Sequence, residues 1–464
     1  MPSAHHFHPS VLREYDIRGI VGETLSAADA YALGLAFGTV VRDAGGASVV
    51  TGYDGRLSSP ELENSLVDGL RDCGLGVWRI GRGPTPMLYY AVHIFGAGGG
   101  VMVTGSHNPP SHNGFKMMLG TASYHGDSIR QLGRIAATGS FAMAPGGEVG
   151  NRPVMESYVE RLVQDCGDGK GRPLKVAWDA GNGAAGDVMT RLVRRLPGQH
   201  VLLNQEVNGR FPAHHPDPSV AANLRQLQEC VAANNCDVGI AFDGDGDRIG
   251  VVDGHGDILW GDQILALLAR EVLARHPGAT IIGDVKSSRV LFDEIARAGG
   301  VPLMWRTGHS LIKAKMTEVG APLAGELSGH IFYSDDYYGF DDALYAAVRL
   351  LRILAHSPQS LAEMRAALPA MVNTPELRLA CSDERKFAVV EEVKARQRSA
   401  GVTINDIDGV RVENAEGWWL LRASNTQAGL VVRCEAQDQR GLDHLMKVVA
   451  GELRTSGLEP RFET

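Results

Sequence analysis

Several features are scarce or missing in this chain, and each absence removes a class of protein. No run of about 18 apolar residues occurs in its 464 residues, so no segment reads as a membrane-spanning helix. The six cysteines are scattered and form no Cys-x-x-Cys pair, which argues against a disulfide framework and suits a reducing cytoplasm. An excess of positive charge is missing too: 45 Lys and Arg stand against 54 Asp and Glu, a formal net charge of −9. That balance argues against broad binding of nucleic acid or anionic membranes, so an anionic ligand needs a local cluster of basic residues. The opening MPSAHHFHPS lacks the charged-then-apolar build of a signal peptide, and its His5, His6 and His8 read as a loose tail. What remains is an ordinary globular composition, 44% hydrophobic and 21% charged, in a chain long enough for several domains.

Apolar runs that end in small polar residues and lead into helical patterns recur three times: VVTGYDGRLSSPELENSL near residue 49, KVAWDAGNGAAGDVMTRLV near 175 and TIIGDVKSSRVLFDEIA near 280. Each reads as strand, turn, helix, followed by a second short strand (VWRIGRGPTP, VLLNQEVNG, PLMWRTGHS) and a third that feeds a polar loop. Those loops are GVMVTGSHNPP near 101, DVGIAFDGDGDR near 238 and APLAGELSGHIFY near 321. A repeat of roughly 105 to 125 residues thus puts three loops at C-terminal strand ends, where open α/β sheets bind ligands, and predicts that they face one cleft. A fourth block after AALPAMVNTP lacks the repeat and ends in the strand, turn, strand pattern WWLLRASNTQAGLVVRCEA. The expected architecture is α/β: three related domains, 1–152, 153–255 and 256–367, around a central cleft, with a smaller α+β cap over 368–464.

DGDGDR places Asp243, Asp245 and Asp247 at alternate positions, so an extended backbone turns all three carboxylates to one side, where like charges demand a cation. Hard oxygen ligands suit Mg²⁺, Mn²⁺ or Ca²⁺ rather than zinc. An EF-hand fails, because Arg248 and Gly254 stand where its loop needs Gly and Glu. In TGSHNPP, Ser106 lies between a glycine and a histidine on a stretch that two prolines keep from being helix or inner strand. Small polar residues beside Asn-Pro are ordinary turn formers. The metal loop singles Ser106 out: a phosphate on it, about −1.5 to −2 in charge, would complete the coordination of an ion held by three aspartates. A serine hydrolase is disfavoured, since G-x-S-x-G is absent.

GNGAAG at 181–186 satisfies G-x-G-x-x-G, opens a helix after a strand and has Glu206 about 20 residues on, as a dinucleotide fold requires. The related turns GYDGR and GDVKSSR carry no such glycines, and a dehydrogenase leaves the aspartate loop without a role, so these glycines are read as helix–strand packing. RASNTQ offers Arg422, Ser424, Asn425 and Thr426, one cation and three neutral donors on a turn, a compact cradle for a dianion. Arg18, Lys116, Arg248, Lys286 and His309 with Lys313 also sit at loop positions and together can line an anion cleft.

In this order and spacing, TGSHNPP, DGDGDR, GELSGH and RASNT resemble the α-D-phosphohexomutases, and within them the bacterial phosphomannomutase/phosphoglucomutases, nearly end to end. The resemblance implies four domains, the fourth closing over the cleft on a hinge near 366–374. It implies a phosphoserine at Ser106 and Mg²⁺ bound by Asp243, Asp245 and Asp247 together with the phosphate. It assigns sugar-hydroxyl recognition to Glu326 and Ser328, and grip on the phosphate not being transferred to Arg422, Ser424, Asn425 and Thr426. Arg18, Lys116, Arg248, Lys286, His309 and His330 match positions that line the reaction site or steer charge, and Tyr15 is placed among the substrate-binding residues. Lys116, helped by Arg18, is the candidate for proton transfer, with His330 second. The family usually carries a proline just after SNT, whereas SNTQAGL has none. A phosphoglucosamine mutase usually reads SGTE at the place of SNT, and a non-catalytic relative has no use for the serine and all three aspartates. The implied activity is reversible phosphoryl transfer between O1 and O6 of glucose and mannose phosphates, through phospho-Ser106 and a hexose 1,6-bisphosphate. Glucose or mannose 1,6-bisphosphate is the expected activator. The expected setting is cytoplasmic, as a monomer or weak homo-oligomer, with hexose phosphates as partners and neither nucleic acid nor membrane.

Overall fold

The computed structural model describes residues 3–167, 169–425 and 428–461. Three of its four sheets follow one plan. In the first, the strand Ser48–Tyr53 is flanked in parallel by Gly76–Arg82 and Gly99–Val103, and the chain then turns back antiparallel into His112–Leu119. In the second, Lys175–Asp179 is flanked by Gln199–Leu203 and Val238–Phe242, with Ile249–Asp253 returning. In the third, Thr280–Asp284 is flanked by Val301–Trp305 and Leu323–Gly325, with Ile331–Tyr333 returning. The three polar loops are the reversals between the last two strands of each plan, at residues 104–111, 243–248 and 326–330.

The sequence explains why chemistry emerges there. Gly99–Val103 and Val238–Phe242 are buried along their whole length, continuous runs of the kind that parallel sheets cover on both faces. A strand with no face toward water can present polar groups only at its end. Helices close over these sheets with conventional signals: Ser26 and Asp29 form a reciprocal capping box before Ala27–Asp43, and Pro60 opens Ser59–Asp72. One apolar core passes through all three units, joining Met87 and Leu88 to Trp178, Ile240, Leu265, Ile281 and Tyr345. That shared core holds the three loops in fixed relation.

The fourth unit is an antiparallel sheet centred on Gly417–Ala423 and Gly429–Ala436. Its period-two pattern divides two faces: Trp419, Leu421 and Ala423 pack with the helices Asp383–Ser399 and Gln439–Thr455, whereas Trp418 and Leu420 meet Val285 of the third unit. Arg422 continues the second face, so the strand aims its guanidinium toward the third unit. Among the described residues no helix is long and apolar enough to cross a membrane.

Candidate active site

Ser106 sits at the first reversal with a φ of +48°, in the left-handed region that non-glycine residues adopt at a cost, and is 2% exposed. Hydrogen bonds over-determine this conformation. Ser106 N donates to Thr104 Oγ1 at 2.8 Å, and Arg56 Nη2 donates to Ser106 O at 2.7 Å. Arg56 also donates to the carbonyls of Asn108, Pro109 and His112, while its Nε pairs with Asp54 at 3.1 Å. A single buried guanidinium fork therefore shapes the serine loop. Sequence reading passed over Arg56, because an arginine after a turn looks like a surface charge.

The second reversal meets the first. Ser106 Oγ donates to Asp243 Oδ2 at 3.0 Å. The approach requires Gly244, since a Cβ there would lie 2.3 Å from Ser106 O; at Gly183, in the GNGAAG turn, a Cβ would lie 3.0 Å from Asp243 O. Those glycines let a helix-opening turn press against the aspartate loop, in keeping with a packing role. Asp243, Asp245 and Asp247 are fully buried, each with a carboxylate oxygen within 4.8 Å of the others. Lys116 donates to Oδ2 of Asp245 at 2.8 Å and to Oδ2 of Asp247, and Thr85 Oγ1 donates to Asp245 Oδ2 at 2.5 Å. The Oδ1 atoms of Asp245 and Asp247 are buried without a hydrogen-bond partner. Three buried carboxylates, two of them held by one ammonium and leaving two Oδ1 atoms without a hydrogen bond, are a donor set that fits a divalent, oxygen-preferring cation.

The electrostatics follow from this crowding. Burial, then Asp245 and Asp247, push Asp243 well above the usual carboxylate range. At Asp245 the upward push of burial and of Asp247 is outweighed by Lys116 and Thr85; at Asp247 burial is outweighed by Lys116 and His330. For Lys116 burial favours the neutral amine, yet Asp245 and Asp247 outweigh it and hold the ammonium charged. In this arrangement Lys116 bridges two carboxylates rather than standing ready to take a proton. His107, which sequence reading did not single out, lies with Nδ1 3.1 Å from Ser106 Oγ, and burial together with Arg248, Arg18 and Lys116 keeps its ring neutral.

The third reversal completes this corner. Glu326 Oε1 accepts from Gly308 N at 2.5 Å, and its Oε2 accepts from His330 Nδ1 at 2.7 Å and Ser328 Oγ at 3.1 Å. His330 Nε2 lies 3.2 Å from Asp247 Oδ1 and 3.4 Å from Arg248 Nε. Burial opposes the charged ring, but Asp247 and Glu326 raise His330 to about 9. Glu326 falls to about 2, because His330 and Lys286 outweigh its burial. Arg18 pairs with Asp16 and donates to Gly105 O at 3.1 Å and Asn108 Oδ1 at 2.7 Å. Ser106, the three aspartates, Lys116, Arg18, Arg248, Glu326, Ser328 and His330 thus form one cluster.

A second cluster lies where the fourth unit meets the others. Tyr15 OH donates to Thr307 O at 2.8 Å and accepts from Asn425 Nδ2 at 2.5 Å. Arg422 pairs with Asp408 at 3.0 Å, and Lys286 with Glu376 at 3.0 Å. The carbonyl of Ser424 accepts from Lys386 Nζ at 2.6 Å. Thr426 lies outside the described residues. His309 stacks on His330 at 5.6 Å and contacts Tyr15 edge-on at 6.3 Å, so it stands between the two clusters. Asp408 and Glu376, which offset the cations of this corner, belong to no recognisable motif.

Comparison with known proteins agrees with this geometry. Residues 10–142, 156–256 and 260–372 match the families described as phosphoglucomutase/phosphomannomutase alpha/beta/alpha domains I, II and III, and residues 376–452 match the corresponding C-terminal domain. The chain is 43% identical over 445 residues to a phosphomannomutase/phosphoglucomutase of Pseudomonas aeruginosa, covering 96% of each chain. It is also 43% identical to a phosphoglucomutase of Neisseria gonorrhoeae, covering 94% of this chain and 95% of that one. The crystal structure of a phosphoglucomutase/phosphomannomutase family protein from Burkholderia thailandensis superposes with a TM-score of 0.90 at 43% identity, covering 98% of this chain and 99% of that one. Four matched domains in order, with three loops converging on a buried serine and carboxylate triad, place this chain in the phosphoglucomutase/phosphomannomutase family.

Proposed function

We propose that the chain is a reversible hexose-phosphate mutase that moves a phosphoryl group between O1 and O6 of glucose and mannose phosphates. The observation that carries this reading is Ser106 Oγ, 3.0 Å from Asp243 inside a buried carboxylate triad, with a separate cationic corner at Arg422 and Lys286. One corner transfers a phosphoryl group and the other holds one.

In the forward step the bond from phosphorus to Ser106 Oγ breaks and a bond to the sugar hydroxyl oxygen forms. The hydroxyl loses a proton and Oγ gains one; neutral His107, beside Oγ, is placed to relay it, with His330 a second candidate. The bisphosphate then turns over and returns its other phosphate to Ser106. Asp243, Asp245 and Asp247 would hold Mg²⁺, which supplies positive charge toward the transferring oxygens when bound. Arg18, Lys116 and Arg248 add fixed charge around the serine loop. Glu326 and Ser328 grip the adjacent hydroxyls O3 and O4, and Arg422, Ser424, Asn425 and Thr426 hold the resting phosphate. Hexose 1,6-bisphosphate acts as activator because it rephosphorylates Ser106. Domain limits at 152, 255 and 367 follow from the repeat. All six cysteines are unbridged thiols, which suits a reducing, cytoplasmic setting.

A coupled assay with glucose 1-phosphate, Mg²⁺ and a trace of the bisphosphate should give glucose 6-phosphate, and phosphopeptide mass analysis should place one phosphoryl group on the Ser106 peptide. No turnover with either glucose or mannose 1-phosphate would overturn the reading.

A further inference from the structure

Beside the aspartate triad, Asp247, His330 and Asp341 from two units bring ligand atoms to a common place, and His309 faces Asp341 from beside them. His330 Nε2 lies 3.2 Å from Asp247 Oδ1 and 4.0 Å from Asp341 Oδ2, and Asp341 Oδ2 lies 3.4 Å from His309 Nδ1. Ligands 2.0–2.2 Å from a tetrahedral zinc ion stand about 3.3–3.6 Å from one another, so the 3.2 and 3.4 Å separations are close to those of a ligand shell and the 4.0 Å one needs only a small contraction. Asp247, His330 and Asp341 each place a ligand atom within 4.8 Å of the others. All four residues are at least nine-tenths buried: Asp247 and Asp341 are 0% exposed, His330 4% and His309 8%.

A second observation separates this group from an ordinary ion-pair network. Asp247 Oδ1, Asp341 Oδ2 and His309 Nδ1 are buried and make no well-aligned hydrogen bond; they face His330 and one another only as ion pairs at 3.2 to 4.0 Å. The far edges of these side chains are tied instead. Lys313 Nζ holds Asp341 Oδ1 at 2.8 Å, Lys116 holds Asp247 Oδ2, and Glu326 takes His330 Nδ1 at 2.7 Å. The Glu326 bond fixes the ring so that Nε2 faces inward, where a metal ion would bind it in exchange for its proton, the second-shell arrangement found behind metal-bound histidines. Arg248 Nε faces Nε2 at 3.4 Å.

We propose that Asp247, His309, His330 and Asp341 form a second metal site, selective for Zn²⁺, that shares Asp247 with the magnesium triad. The donor sets differ in kind. Three carboxylates favour a hard cation, whereas two imidazole nitrogens with two carboxylate oxygens favour a borderline ion at tetrahedral geometry. The nearby charges of Lys116, Lys313 and Arg248 hold its affinity below that of a structural zinc site, which makes it a reversible one. Occupancy withdraws both histidines and constrains Asp247, so Zn²⁺ inhibits without displacing Mg²⁺.

The test titrates Zn²⁺ into the full-length protein in excess Mg²⁺ against a chromophoric chelator, with Co²⁺ as a spectroscopic probe. The expected result is one bound Zn²⁺ whose affinity falls by at least about tenfold in Asp341→Asn and His309→Gln and persists in Asp243→Asn. Co²⁺ should broaden the imidazole resonances of His309 and His330. Zn²⁺ binding that vanishes in Asp243→Asn and is competed away by Mg²⁺ would overturn the proposal, as would wild-type binding no tighter than that of both site variants. Melting curves check folding, and His309→Gln leaves the Lys313–Asp341 pair intact, so it reads the site even if Asp341→Asn does not fold. The readout is metal stoichiometry, so its failure leaves the mutase reading standing, and an inactive mutase would leave the zinc result measurable.

Discussion

The corner around Ser106 and the corner around Arg422 are built in opposite ways. Near Ser106, loops from three units rest on one shared apolar core and interlock through almost fully buried charges. Near Arg422, the fourth unit meets the third through polar threads: Thr307 N to Asp408 at 3.1 Å, Arg306 Nε to Ile407 O at 2.9 Å, Lys286 to Glu376, and Arg411 Nη1 to the carbonyls of Val285 and Ser287 at 2.7 and 2.8 Å. Among the described residues the apolar contact there is a small cluster of Val285, Trp418 and Leu420 with Met304 and Ile407 packed against it. An interdigitated core resists sliding, whereas polar bonds across an interface can be remade to water or ligand as the interface opens. We therefore propose that chemistry belongs to the rigid corner, and capture and release of the sugar to a corner that can move.

The most severe way to break this division is Ser106→Ala. We expect kcat to fall by at least about a thousandfold with loss of the phosphoryl mass, since the covalent route disappears. A variant that keeps most of its turnover would sink the phosphoserine mechanism. Next comes Arg56→Lys, which keeps the charge but loses the fork that fixes the carbonyls from Ser106 to His112. Misplacement of the nucleophile by an ångström costs about a hundredfold, so kcat should drop on that scale while KM holds. A change confined to KM would put Arg56 outside the transfer corner.

Arg422→Ala tests the other corner. Its expected signature is the reverse, KM raised by about ten- to a hundredfold with a smaller change in kcat. In small-angle scattering the wild type should compact on binding a bisphosphorylated sugar and the variant should not. A wild type that gives the same curve with and without ligand argues against a closing cap.

Smaller still is the expected difference between sugars. A substrate bound in two orientations can be gripped the same way twice only through O3 and O4, which exchange places on turnover and are identical in glucose and mannose. On the proposal that Glu326 and Ser328 read those hydroxyls, kcat/KM for the two 1-phosphates should agree within about a hundredfold. A preference above roughly a thousandfold would reveal a group that reads C2.

The mildest prediction concerns pH in the metal-free protein. His330, ordinarily near 6.5, is raised to about 9, against the opposing effect of burial, by Asp247 and Glu326. A raised folded value means that the imidazolium's stabilisation is fully present below about 6.5 and is lost as pH rises through about 9. Melting temperature should therefore decline between those limits in the wild type and stay flatter in His330→Asn. Parallel slopes would show that His330 does not titrate there.

What could be read from the chain was local. The alternation of Asp243, Asp245 and Asp247, the turn chemistry around Ser106, the threefold recurrence of strand, turn and helix, and the donors of RASNT all depend on neighbours within a few residues, where backbone periodicity decides direction. Arg56, His107, Asp341, Asp408 and Glu376 carried no such signal. Each takes its meaning from a partner elsewhere: Arg56 from a loop 50 residues on, Asp341 from His309 and Lys313, Glu376 from Lys286 90 residues earlier. The sequence by itself determined that polar loops end the strands of a repeated unit and that one of them carries oxygen ligands of the kind hard cations prefer. Only the tertiary structure decided which charges lose water and which atoms they then face, because burial belongs to packing rather than to any residue, and an unremarkable surface charge becomes a working group only once solvent is excluded around it.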